Sequence, residues 1–61
     1  MIDKEQTIKR NIEQLANSYK VAETREERTN IDRATKNFLD FFVSEKELYK
    51  KYINYYEEKK K

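Results

Sequence analysis

The chain has 61 residues, of which 43% are Asp, Glu, Lys or Arg; it contains no Gly, Pro, Cys or His, and its formal net charge is +2. That length allows one domain at most, and the missing Cys and His exclude a disulfide framework and any thiolate or imidazole metal ligand. Without Gly and Pro the chain lacks the residues that tight β-turns draw on, whereas its abundant Lys and Glu favour helix. An all-α fold with no strands is expected, as a single small helical domain over residues 1–61.

The first helix is expected over about 4–22. Asp3 followed by Gln6 has the spacing of a capping box, in which a side-chain acceptor and a residue three positions on satisfy each other's free N–H groups. Ile8, Ile12, Leu15, Tyr19 and Ala22 follow at alternating spacings of four and three. At 100° per residue they cover about 80° of the helix, a narrow seam that asks for one neighbour.

A second helix is expected over about 25–43, opened by Thr24 with Glu27. The third, over about 45–59, is expected to be capped by Ser44 with Glu47, and Val43 and Leu48 are spaced as a hydrophobic staple across that cap. Read as one continuous helix, residues 31–56 would place Glu45 inside an apolar arc about 160° wide, where an unpaired charge is costly. A break at Ser44 removes that conflict. Three helical segments are therefore expected, with a helical hairpin bent in its second helix as the alternative, and residues 57–61 as a charged, frayed tail.

Catalytic, cofactor-binding and metal-binding motifs do not emerge. Ser44 reads as a cap and not as a nucleophile, with no Gly-rich elbow or phosphate loop around it, and the acid pairs are adjacent in sequence and so diverge on a helix. The protein is not expected to be an enzyme or to hold a cofactor or metal. Asp3, Lys4 and Glu5 interrupt the start, and no apolar run is long enough to cross a bilayer, so a cytoplasmic protein with no membrane partner is expected. Rich in Lys, Asn, Ile, Tyr and Phe, the chain has the composition of AT-rich genomes, and a phage or plasmid source fits it.

Seven of the eight aromatic residues lie between positions 38 and 56. Tyr couples a large apolar ring to a hydroxyl, which suits half-buried rims and interfaces. Set against a seam about 80° wide on the first helix, four tyrosines in eight residues look like more ring than the chain can cover. Ile8, Ile12, Leu15 and Tyr19 are expected to pack on Ile31, Ala34 and Phe38, with Phe41 and Phe42 bridging to the third helix. Phe41, Tyr49, Tyr52, Tyr55 and Tyr56 are expected to meet a protein partner, which makes the chain a non-enzymatic protein–protein interaction module: a small inhibitor or regulator, or an oligomerising adaptor, with a homo-oligomer among the expected states. A small DNA-binding regulator using Arg25, Arg28, Arg33, Lys36 and Asn37 is the rival, weakened by acids interleaved with those bases. A purely structural self-association segment is the third reading.

Overall fold

The computed structural model of the protein describes residues 3–61. Three helices, α1 (Lys4–Val21), α2 (Arg25–Phe42) and α3 (Lys46–Lys59), hold 85% of those residues, and there is no strand among them. The three-segment reading is the one observed, and each expected boundary lies within one residue of the observed one.

Two of the three expected caps form. The Asp3 carboxylate accepts the N–H of Glu5 at 3.0 Å and not that of Gln6, so Asp3 caps α1 one residue earlier than a capping box would. Thr24 Oγ1 accepts the Glu27 N–H at 3.1 Å, while Glu27 Oε2 accepts from the N–H of Glu23 at 3.2 Å, one residue before the cap. The expected Ser44 cap is corrected: Glu45 holds the N-cap position of α3, with no side-chain bond closing it. The reason lies in the connection. Val43 and Glu45 are both extended, and the three residues between α2 and α3 reverse the chain while turning Val43 into the core. Leu48, 39% exposed, borders the same cleft as Val43.

The missing glycines have a structural counterpart. α1 and α2 both end by passing straight into extended backbone, at Ala22 (φ −65°, ψ 131°) and Val43 (φ −124°, ψ 113°). No described residue has a positive φ. A left-handed helix cap, the usual place for Gly, is simply not used.

The bundle runs up, down and up. Glu5 meets Lys51, Glu13 meets Tyr55 and Tyr19 meets Tyr56, so α1 and α3 are parallel. Asp32 meets Tyr56 while Asp40 lies by Tyr49, so α2 runs against α3. Short two- to five-residue loops commonly join such antiparallel neighbours.

The core consists of Ile8, Ile12 and Ala16 from α1, Thr35 and Leu39 from α2, Val43 from the connection, and Tyr52 and Tyr56 from α3. Several packing expectations are corrected. α1 faces both other helices instead of one, because its second flank is polar: Glu5, Lys9 and Glu13 reach Lys51 and Tyr55, contacts an apolar seam does not register. On α2 the buried line through Thr35 and Leu39 is rotated by about 90° from the expected Ile31–Ala34–Phe38 stripe, which leaves Ala34 exposed. That rotation lets α2 touch α1 and α3 at once. It also turns Phe41 into solvent, 83% exposed, where it cannot bridge to α3. Glu57, Glu58 and Lys59 complete α3, and Lys60 binds Asp32 and Glu57.

Candidate interaction surface

The tyrosines of α3 sit on its inner side. Tyr52 and Tyr56 are only 3% and 2% exposed, so the expectation that they face outward is corrected. Tyr56 keeps a polar partner inside, donating to Asp32 Oδ1 at 2.8 Å. Lys60 Nζ donates to the same oxygen at 3.1 Å and lies 4.6 Å and 5.0 Å from the ring centroids of Tyr19 and Tyr56. Tyr55 is half-buried and donates to Glu13, with Lys9 and Lys59 near its ring. Tyr49, also half-buried, lines a concavity with Arg33, Lys36, Asn37 and Asp40.

This geometry sets the proton affinities. Burial raises Tyr56 above the ordinary tyrosine value, and the Asp32 carboxylate adds to the shift. Burial also raises Tyr52 and Tyr49, while the bond to Glu13 raises Tyr55. Burial alone would lower Lys60, but its bonds to Asp32 and Glu57 outweigh that and hold it above the usual lysine value. The hydroxyls are therefore neutral near neutral pH, and those of Tyr55 and Tyr56 tie α3 to Glu13 of α1 and Asp32 of α2.

Phe41 is the one expected contact residue left largely bare. Its ring meets that of Phe42 edge-on at 5.0 Å, and Phe42 in turn lies 4.8 Å from Phe38. Phe42 is 45% exposed and borders an open cleft of about 300 Å³ with Val43, Leu48 and Tyr52. Phe38 borders a second groove, between α1 and α2, with Asn11, Gln14, Leu15, Ser18 and Ala34. An aromatic ridge thus runs along the C-terminal half of α2 and joins two depressions. Phe38, Phe42 and Leu48 were not among the expected contact residues. Neighbouring residues on a helix point about 100° apart, so Phe41 and Phe42 cannot both face one core; that signal was present in the sequence.

The basic residues of the rival reading are all exposed. Arg33, Lys36 and Asn37 share the concavity by Tyr49, but Asp32 and Asp40 line it too. Arg25 and Arg28 stand in the first turns of α2 beside Glu26 and Glu27. Among the described residues no group of three or more His, Cys, Asp or Glu side chains is placed to hold a metal ion. No described helix is long and apolar enough to cross a membrane. No family model, no curated protein and no solved structure matches the chain.

Proposed function

We propose that the protein is a non-enzymatic protein-interaction module, a small inhibitor or regulator or an oligomerising adaptor, that docks through the aromatic ridge of α2. The observation that carries this reading is Phe41, 83% exposed on a rigid helix and in edge contact with Phe42. Phe seldom remains so exposed unless another surface covers it, and apolar patches rimmed by polar groups mark interaction sites. Tyr49 and Tyr55 flank this function in a secondary way, while Tyr52 and Tyr56 support the helix that positions it.

The nucleic-acid reading has less behind it. Phosphate contacts need a basic stripe that acids do not cancel, and Asp32 and Asp40 sit among the bases. A gel shift titrated against salt separates the two: steep, strong binding would favour DNA.

The direct test is a photo-crosslinking side chain at position 41 (Phe41→benzoylphenylalanine), irradiated in extract from the source cells. A discrete crosslinked protein, competed away by the wild-type chain and not by Phe41→Ser, is expected. Failure to crosslink to any protein, the chain itself included, overturns the reading.

A further inference from the structure

Lys60 differs from the other paired lysines. In their ion pairs with Glu5, Lys9 and Lys51 keep 41% and 57% of their side chains exposed, whereas that of Lys60 is 15% exposed. Its Nζ lies over two rings at once, 4.6 Å from the centroid of Tyr19 and 5.0 Å from that of Tyr56. It donates to Asp32 Oδ1 and pairs with Glu57 Oε2, each at 3.1 Å. The two rings stand at 81° to each other with centroids 6.5 Å apart, so they form a corner that Asp32 closes. Tyr19 comes from α1, Asp32 from α2 and Tyr56 from α3. Ring faces attract a cation through their quadrupole, and a carboxylate beside them adds a charge-assisted hydrogen bond.

The corner keeps its shape without its occupant. Tyr19 and Tyr56 meet edge-on, and the Tyr56 hydroxyl donates to Asp32 Oδ1 at 2.8 Å; neither contact involves Lys60. Lys60 stands just past the last residue of α3, so its side chain can swing out while every helix stays in place. The Asp32 side chain is 35% exposed, which puts the mouth of the corner at the surface. A site held by its own contacts binds at little ordering cost.

We propose that Tyr19, Asp32 and Tyr56 form a binding site for a primary alkylammonium ion, the class to which the lysine side chain of another protein belongs, and that Lys60 caps this site from within. The occupant shows the fit: an ammonium on a four-carbon stem reaches both ring faces and the carboxylate together. Lys60 thereby acts as an autoinhibitory ligand, which an incoming lysine has to displace. The site lies toward the other end of the bundle from Phe41, so it stands or falls independently of the aromatic ridge.

Lys60→Ala uncaps the site, and n-butylammonium, which copies the lost stem and charge, is the probe. Titration of this variant, followed by the ring-proton NMR shifts of Tyr19 and by the urea midpoint, should show saturable binding in the millimolar range and a rising midpoint. Neither n-butanol, with the stem and no charge, nor sodium chloride, with charge and no stem, should do this. The wild-type chain should not saturate over the same range, because Lys60 holds the corner. Adding Asp32→Asn to Lys60→Ala should weaken binding by about tenfold, since Asn keeps an acceptor for Tyr56 and loses the charge. If Lys60→Ala is unfolded by itself, recovery of helical circular dichroism with the amine, and not with n-butanol, is the expected result. A blocked peptide with one central lysine separates the sources: its binding assigns the site to a protein's lysine, and binding of n-butylammonium alone assigns it to free amines. Absence of saturable binding or rescue by either probe, binding indifferent to Asp32→Asn, or equal binding by the wild-type chain overturns the proposal.

Discussion

Tyr56 of α3 donates its hydroxyl proton to the Asp32 carboxylate of α2 at 2.8 Å, with its ring 2% exposed between them and α1. One side chain thus supplies apolar core volume and a polar tie to the next helix. That pairing of ring and hydroxyl explains why α3 can turn tyrosines inward in a body too small for a purely apolar interior.

Tyr56→Phe keeps the ring and removes the tie. It should lower stability by about 1 kcal/mol, because Asp32 keeps Lys60 and some water. Tyr56→Ala removes the ring as well and should cost about 3–5 kcal/mol, enough to unfold a marginal domain. Urea midpoints of the two variants check the difference; equal midpoints would mean that the ring contributes nothing.

Exposure predicts opposite outcomes for two aromatic residues. Phe41→Ser should change stability by less than about 0.5 kcal/mol, as surface substitutions usually do. Tyr52→Ser should unfold the chain, since Tyr52 packs with Ile8, Ile12 and Leu39 in the single core. Thermal melts by circular dichroism decide it. A folded Tyr52→Ser protein would place that ring outside the core.

The caps should differ in the same way. Thr24→Ala removes the bond to the Glu27 N–H and should cost about 0.5–2 kcal/mol. Ser44→Ala should stay within about 0.5 kcal/mol, because Glu45 and not Ser44 begins α3. A large loss on Ser44→Ala, read from the denaturation midpoint, would restore Ser44 as a cap.

Stability should fall at alkaline pH. Tyr49, Tyr52, Tyr55 and Tyr56 all hold their protons more tightly in the folded chain than the ordinary value of 10.0, and Lys60 more tightly than 10.5. The folded state therefore keeps its full advantage below the unfolded values and loses it as pH climbs through them toward the folded ones. Urea unfolding should show a plateau up to about pH 9 and a steady decline above about pH 10. Tyrosinate absorbance should rise late and together with loss of helix. Tyrosines that all titrate at the free value in a still-folded chain would contradict the buried geometry.

Much of the architecture is local, and local features are readable in sequence. Asp3 and Thr24 cap helices because a side-chain acceptor meets its own next turn, and Ile8 and Ile12 line up because four residues make about one turn. The number of helices and their limits follow from such short-range rules. Ser44 shows their edge: its signature was the fullest of the three, yet reversing the chain in three residues drew Val43 inward and moved the helix start on by one.

What each tyrosine and phenylalanine does was decided only in three dimensions. A ring's neighbours come from other helices, and whether α2 presents Ala34 or Thr35 to them depends on a rotation that no single helix determines. Tertiary packing chose the turn that buries Thr35 and Leu39, and the same turn that gave Tyr56 its carboxylate left Phe41 in water.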